Sequence, residues 1–384
     1  MKSFLFFLSL SLLWPAGSHA SEDEDQSARA VSLSREEKEA RAWSVRGSLQ
    51  FVSGKRVTDD FTRDLIDGNA CSLESKMRPI PLGSVAWILR EVGALTWVRS
   101  LNLCNNELQR LNMDMGSLPY LEVLYLDHNK LKELPTTIGG CARLRKVRVC
   151  HNMLESLPDT LTSCTALEHV EVTHNAFTAF PTVLCGLKKL KFLDVCNNNL
   201  ATLPQDIGDL TCLERLFVCE CCLRTLPSSI GQLTQLYVLY ADDNAIDHLP
   251  EEIGRLTNLM HLHMPGNRLT FLPLSVGGLV SLRIANFAHN ALERLPSTLG
   301  ELGRLQWLNL KGNVLHVVPA SLGRIIRLSI LDLRSNPYLL SRGRWQGAWG
   351  QNEITDHFED VARLDEPVVK AISLHTVLAF MVPF

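Results

Sequence analysis

The sequence predicts an α/β solenoid, a coil of short repeats with a curved parallel sheet on its concave side and short helical or 3-10 turns on its convex side. Two ladders of residues with a constant period of 23 predict this fold. An asparagine ladder makes ten steps from Asn106 to Asn336 without an insertion, and Cys221 is its one departure. A proline ladder of the same period extends from Pro135 to Pro319. Together they predict about 11 repeats plus caps.

Each repeat follows the pattern L-x-x-L-x-L-x-x-N-x-L, as in residues 121–131. Because successive side chains of a strand point to opposite faces, Leu124 and Leu126 are expected in the core, with Tyr125 and Asp127 facing outward. The ladder asparagine is expected to bind backbone groups of adjacent turns through its amide. The proline that follows sets φ and ends the extended segment.

The segments on the convex side read LPSSIGQLTQL over 226–236 and LPEEIGRLTNL over 249–259. In this pattern the chain resembles the leucine-rich repeat family, in its short 23-residue class. It is similar to plant intracellular Ras-group-related proteins and to animal Ras-pathway scaffold proteins of the same repeat type. The resemblance covers about residues 85–340. It implies a solenoid that acts as a protein-protein interaction scaffold, and it does not indicate the partner.

The chain is expected to have four parts. An extra degenerate turn is expected around Gly83, and an amphipathic helix over residues 352–364. A solenoid needs such caps because each terminal repeat exposes core and an unpaired strand edge. The expected parts are a candidate signal peptide (1–20), an N-terminal flanking segment or cap (21–75), the solenoid (76–340) and a C-terminal cap (341–384).

The first 20 residues and the cysteines point to different compartments. Lys2, an apolar run over residues 4–14, and small side chains at Ser18 and Ala20 predict a signal peptide cleaved after Ala20. The 11 cysteines argue against it, because an odd number leaves one unpaired and their repeat positions suit core or strand surface. We therefore expect a secreted or secretory-pathway protein, with a cytoplasmic location as the alternative and the thiol redox state open.

Charge and motif content exclude several function classes. A net charge of −3 with no basic stripe provides no footprint for nucleic acid. Beyond residue 20 no apolar run approaches the roughly 20 residues that span a bilayer, so no membrane span is expected in the mature chain. No catalytic motif is present, so we expect no enzyme and no cofactor. The oligomeric state is not indicated.

A column of histidines is a weak metal candidate. His128, His151 and His174 occupy the same position in three consecutive repeats, with Cys150 beside His151. Such residues about 5 Å apart could bind zinc. Repeats that diverge from a common ancestor produce like columns without a metal, so we expect none, and a metal-binding or enzymatic role stays a minor alternative.

The outward columns of the sheet are expected to bind a protein partner of unknown identity. Large apolar groups on a solvent-facing sheet mark interaction sites, unless they pack on one another or under the C-terminal tail. Aromatic and arginine side chains are enriched among the residues that dominate binding. Two apolar patches are expected, one of Phe192, Phe217, Val238 and Tyr240 and one of Ile284, Trp307 and Ile330. The candidate partner-binding residues are Tyr125, Lys146, Arg148, Phe192, Arg215, Phe217, Tyr240, His261, His263 and Trp307.

Overall fold

A computed structural model describes residues 71–72 and 96–341 of the chain. The expected signal peptide, the turn around Gly83 and the C-terminal cap helix lie outside the described residues. The described residues form one parallel sheet of 12 strands, arranged in chain order. The strands are β1 (Cys71–Ser72), β2 (Ser100–Asn102), β3 (Val123–Tyr125), β4 (Lys146–Arg148), β5 (His169–Glu171), β6 (Phe192–Asp194), β7 (Arg215–Phe217), β8 (Val238–Tyr240), β9 (His261–His263), β10 (Ile284–Asn286), β11 (Trp307–Asn309) and β12 (Ile330–Asp332).

Short 3-10 helices connect the strands on the convex side. Most begin directly after a ladder proline with φ near −70°, for example Pro227 with φ −69°, and end where a leucine N–H closes the turn. No helix in the described ranges is long and apolar enough to cross a membrane. The 3-10 helices are Met115–Ser117, Thr136–Gly140, Asp159–Ser163, Thr182–Gly186, Gln205–Asp209, Ser228–Gln232, Glu251–Arg255, Leu274–Gly278, Ser297–Glu301 and Ala320–Arg324, and α1 (Pro337–Ser341) follows β12.

The strand register repeats the sequence period. From β2 to β12 each residue pairs with the residue 23 positions later, as Leu124 does with Val147. β1 departs from this spacing, since Cys71 pairs with Leu101, 30 residues later. The predicted solenoid of parallel strands and short 3-10 turns is confirmed, and only the pairing of β1 with β2 departs from the 23-residue offset among the described strands.

The core lies between the sheet and the 3-10 helices. The middle residue of each strand from β2 to β11 is almost fully buried, whereas the two flanking side chains lie mostly on the opposite face. Cys141 and Cys164 replace leucine in this core, and their thiols donate to the carbonyl oxygens of Met115 and Ile138 at 3.1 and 3.3 Å. Burial raises the pKa of Cys141 to about 12, so the thiol stays protonated and behaves as a small apolar group.

The asparagine ladder joins neighbouring repeats through the backbone. Asn129 donates from Nδ2 to the carbonyl oxygens of Leu103 and Leu126 at 3.0 and 2.9 Å. Its Oδ1 accepts the N–H of Leu108 at 3.1 Å. Because buried backbone groups must be paired, such bonds stabilise the inward turn of the repeats that have a ladder asparagine. The predicted role of the ladder is confirmed.

Candidate interaction surface

We call the surface formed by the first and third residues of β2–β12 the concave face. These side chains point away from the core because the middle residue of each strand points into it. All ten candidate partner-binding residues lie on this face, each at the first or third position of its strand. The solenoid therefore presents them on one continuous sheet surface.

A row of aromatic rings crosses the concave face from β5 to β11, and we call it the ring row. The row shifts from the first strand position in β5 and β6 to the third position in β7, β8 and β9 and returns to the first in β11, so it crosses the sheet obliquely. The step from β9 to β11 is the longest because β10 contributes no ring. The row consists of His169, Phe192, Phe217, Tyr240, His263 and Trp307, with successive ring centroids 4.0, 5.2, 5.2, 4.3 and 6.0 Å apart.

The centre of the ring row is packed tightly. Phe217 and Tyr240 are each only 8% exposed, and they form a buried cluster with Cys196 and Cys219. Phe192 and Val238 pack against this cluster and stay partly exposed, so the four residues cluster at mid-sheet as predicted, with Phe217 and Tyr240 packed against their neighbours. Burial raises the pKa of Tyr240 to about 12. The interior rings therefore support the surface, and the partly exposed rings offer the contact area.

Basic and acidic side chains form a network on β4 and β5. Arg148 pairs through Nη2 with Oδ2 of Asp127 at 3.0 Å, and its Nε lies 3.2 Å from Oε2 of Glu171. Lys146 and His169 both contact Oε1 of Glu171. Burial acts to raise the pKa of Glu171, but the hydrogen bond from His169 and the charge of Arg148 outweigh it and hold that pKa below its ordinary value. Lys146 and Arg148 are thus already paired within the sheet.

Asp127 lies on the outward side of the sheet, as the alternation predicted, but it is covered there. It is 7% exposed, because its Oδ1 accepts the N–H of Cys150 at 2.9 Å and Arg148 covers its other oxygen. Tyr125 lies on the same side, with the guanidinium of Arg148 5.5 Å from its ring centroid. The long arginine side chain folds back onto the sheet and shields both residues.

Two aspartates flank the buried centre of the ring row. Asp194 on β6 aligns with Phe217, and Asp242 follows two residues after Tyr240. Burial, and then the charge of Asp243, raise the pKa of Asp242 to about 7. Burial also raises the pKa of Asp194 to about 7, although its Oδ1 accepts the N–H of Cys196 at 3.0 Å. Both carboxyl groups therefore titrate near neutral pH.

The second predicted apolar patch lies at the C-terminal end of the sheet. Ile284, Trp307 and Ile330 are neighbours in register on β10, β11 and β12. Ile330 is 40% exposed, and Trp307 is also the last ring of the ring row. The patch continues the apolar surface toward β12.

The histidine column forms a stack of rings. His128 and His151 lie 4.3 Å apart and His151 and His174 lie 4.1 Å apart, with nearly parallel planes. All three have φ between 51° and 57°, the left-handed region, because each precedes a ladder asparagine at the inward turn. In the described ranges no group of three or more His, Cys, Asp or Glu side chains is placed to hold a metal ion. Cys150 is buried, and burial raises its pKa to about 12.

Several residues of this surface were not singled out from the sequence. His169 and Glu171 are the first and third residues of β5, but nothing in the sequence favoured them over other outward residues. Asp242 lies two positions beyond the strand, where a side chain returns toward the concave face. The sequence signal for Asp242 is an aspartate two residues after an aromatic residue at the third position of a strand. Tyr125 and Asp127 show the same combination.

Family models match the chain over the predicted repeats. A model described as leucine-rich repeat matches residues 97–154 and 142–200, and a model described as leucine-rich repeat region matches residues 181–266. No curated protein matches the sequence significantly.

Several solved structures have a similar fold. A structure described as a TDR receptor is 27% identical, with a TM-score of 0.60 over 70% of this chain and 47% of its own. The Arabidopsis receptor kinase HAESA, in complex with the peptide hormone IDA and the co-receptor SERK1, is 26% identical with a TM-score of 0.58, over 69% and 45%. The Drosophila Toll–Spatzle complex, 21% identical with a TM-score of 0.59 over 70% and 38%, shows the fold alone. The chain spans about half or less of the length of these matched chains.

Proposed function

Because this chain belongs to the leucine-rich repeat family, we propose that it is a non-catalytic scaffold that binds a protein partner through its concave face. The observation that carries this proposal is the ring row. The core is built from the middle strand residues and the convex turns, so six rings on the opposite face are not needed to fill it. Partly exposed rings arranged across many strands offer a broad apolar surface with polar neighbours.

The similar structures support a polypeptide as the partner. The HAESA structure contains a peptide hormone and a co-receptor, both of which are polypeptides. A rigid sheet needs little reordering on binding, which favours a surface of this kind as a platform for another chain. The partner is therefore expected to lie across the strands, along the ring row.

Peptide selection with surface variants tests this function. A displayed library of random peptides is selected on the full chain, and the peptides are measured against Trp307→Ser and Phe192→Ser. Each variant should weaken binding by roughly tenfold or more, because a large ring is removed from the contact. Phe271→Ser and Leu274→Ser serve as controls, since both side chains are exposed outside the strands, at 53% and 65%.

The controls should leave the affinities unchanged. If the control substitutions weakened peptide binding and the substitutions on the concave face did not, the proposal would be contradicted. Failure to select any peptide would count against it as well.

A second candidate is an intracellular signalling scaffold of the Ras-pathway type, as opposed to a secreted protein. The observation that favours it is the thiols. Nine cysteines of the described ranges, Cys104 aside, are free thiols, and seven of them are buried, an arrangement typical of a reducing compartment. The candidate signal peptide favours secretion, which remains our first proposal for location.

Intact mass of the protein from cells and from medium, with thiol alkylation before and after reduction, separates the two. A chain that begins at Ser21 in the medium supports secretion. A chain that begins at Met1 inside cells, with 11 alkylated thiols, supports the intracellular scaffold.

A further inference from the structure

Two repeats of the solenoid place a tyrosine and an aspartate in the same relative positions. Tyr125 is the third residue of β3, and Asp127 follows two residues later; Tyr240 is the third residue of β8, and Asp242 follows two residues later. The 23-residue register gives both pairs the same setting beside the next strand. The two pairs are therefore directly comparable.

The first pair holds a guanidinium. Arg148, the third residue of β4, lies over the Tyr125 ring at 5.5 Å and pairs with Asp127 at 3.0 Å. A planar guanidinium suits this arrangement, because it is attracted to an aromatic face and can donate to a carboxylate at the same time. The chain thus shows how a tyrosine and an aspartate in these positions bind arginine.

The second pair lacks a cation. The residue of β9 that corresponds to Arg148 is His263, whose ring stacks on Tyr240 at 4.3 Å. Burial and the nearby His261 lower the pKa of His263 to about 4, so it is neutral at pH 7. Within the described part of the chain no ion pair includes Asp242, and its buried Oδ1 has no hydrogen-bond partner.

Other acidic side chains lie near Tyr240 and Asp242. The charges of Asp243, in the same turn, and of Glu220, in the preceding repeat, both raise the pKa of Asp242. The charges of Asp194 and Asp242 likewise raise the pKa of the Cys219 thiol, so both carboxyl groups lie close to it. Two arginines of the concave face are engaged elsewhere, since Arg148 belongs to the first pair and Arg215 lies over the rings of Phe192 and Tyr237. The surface around Asp242 is acidic, partly desolvated and next to aromatic rings, so it is complementary to a cationic side chain.

We propose that Tyr240 and Asp242, with Asp194 on the other side of Phe217, form a binding site for an arginine side chain of the protein partner. The proposal rests on the proposed function, since it names a chemical feature of the partner of that same surface. The guanidinium would approach Asp242 from solvent, and His263, which now lies over the Tyr240 ring as Arg148 lies over Tyr125, would have to turn aside for the guanidinium to reach that ring. The centre of the concave face would therefore recognise an arginine side chain of the partner.

A small-molecule probe tests the site without a known partner. Full-length protein labelled with ¹³C at the aspartate carboxyl groups is titrated with N-acetyl-L-arginine N-methylamide and with the uncharged citrulline analogue. The arginine probe should shift the Asp242 signal and lower its pKa by about one unit or more at saturation. The citrulline analogue should not, and Asp242→Asn identifies the signal. Equal shifts with both probes, or an equal response at the exposed Asp209, would overturn the proposal.

Filling the site from within the chain provides an independent arm. His263→Arg places a guanidinium on β9 where β4 has Arg148. It should lower the pKa of Asp242 by about one unit or more and abolish the response to the arginine probe. An unchanged Asp242 pKa in this variant would contradict the proposed geometry.

The peptides selected on the concave face separate this proposal from the proposed function. Replacing the arginine of a selected peptide by citrulline should weaken binding at least tenfold to the wild-type protein, and less than twofold to Asp242→Asn. If the peptides bind the concave face but do not depend on arginine, the function stands and the arginine site is wrong.

Discussion

The thiol of Cys221 donates to the carbonyl oxygen of Val195 at 3.3 Å, which is the contact that a ladder asparagine makes in the other repeats. A second acceptor, the carbonyl of Cys219, lies 3.2 Å from the same sulfur. In the next repeat Asn244 donates to three carbonyl oxygens and also accepts two backbone N–H groups at Oδ1. The thiol has one proton and is a weak donor, so this repeat is less strongly joined to its neighbours.

Cys221→Asn should therefore stabilise the solenoid. The amide restores a strong donor and an acceptor in a buried position, and each added hydrogen bond contributes about 1 kcal/mol. Urea unfolding at neutral pH measures the gain in unfolding free energy, with the exposed Cys212→Ser as control. A loss of stability would mean that the turn has adapted to sulfur, and the left-handed φ of both Glu220 and Cys222 on either side is the feature to inspect.

The strand register and the mid-sheet cluster could be predicted from the sequence because the period has no insertion. Residues 23 apart become neighbours, so Phe217 and Tyr240 had to lie side by side. The same rule could not predict the spacing of β1, because the 30-residue offset between Cys71 and Leu101 follows no ladder. Constant spacing determines backbone neighbours only where the ladder residues are present.

The electrostatics of the concave face could not be predicted in the same way. Position alone does not determine that Arg148 folds over Tyr125 toward Asp127, because a long side chain chooses among several acceptors. The raised pKa of Asp242 comes first from burial and then from the charge of Asp243, and burial depends on how the neighbouring side chains pack. The conformation of Arg148 and the pKa of Asp242 both depend on how side chains of neighbouring strands pack, which the sequence of one repeat does not specify.

A close contact between convex turns gives a stability prediction with an internal control. A Cβ added to Gly254 would lie 2.2 Å from the carbonyl oxygen of Ser275, which is backbone and cannot move aside easily. Gly254→Ala should lower the unfolding free energy by about 1–3 kcal/mol, since overpacking forces the backbone to shift. Thermal and urea unfolding measure the effect.

Gly303→Ala is the matched substitution, because nothing lies within 4 Å of the added Cβ. It should be neutral or should stabilise by about 0.5 kcal/mol through the unfolded chain. Similar losses for both glycines would contradict the packing argument.

The histidine stack predicts sensitivity to acid. Burial lowers the pKa of His151, and the neighbouring His174 and His128 lower it further. A histidine with a depressed pKa contributes stability above its unfolded value near 6.5, and that stability is lost as the pH falls through the folded pKa. His151→Asn removes this loss and keeps the backbone, because asparagine at 105 and 197 already occupies the same left-handed position.

Unfolding free energy should therefore fall less between pH 7 and pH 5 in His151→Asn than in the wild-type protein. The difference should be a few tenths of a kcal/mol, because the group is partly exposed and solvent screens it. His289→Asn is the control, since His289 lies in the same column between Gly266 and Gly312, without histidine neighbours. An equal effect of the two substitutions would exclude stacking as the cause.

The carboxyl group of Asp194 predicts the opposite pH dependence. Its pKa is raised from 3.8 to about 7, chiefly by burial. A raised folded pKa contributes stability below pH 4 that is lost as the pH rises to about 7, so the wild-type protein is penalised at pH 8. Asp194→Asn keeps the Oδ1 acceptor for the N–H of Cys196 and carries no charge.

Asp194→Asn should match the wild-type protein at pH 4 and exceed its unfolding free energy at pH 8, by on the order of 1–3 kcal/mol. Urea unfolding at a series of pH values measures where the two curves separate, and we expect the separation between pH 4 and pH 7. Asp209→Asn provides the control, because that carboxylate is 60% exposed and pairs with Lys188 on the convex side. A constant difference at every pH would attribute the gain to packing and refute the carboxyl as its source.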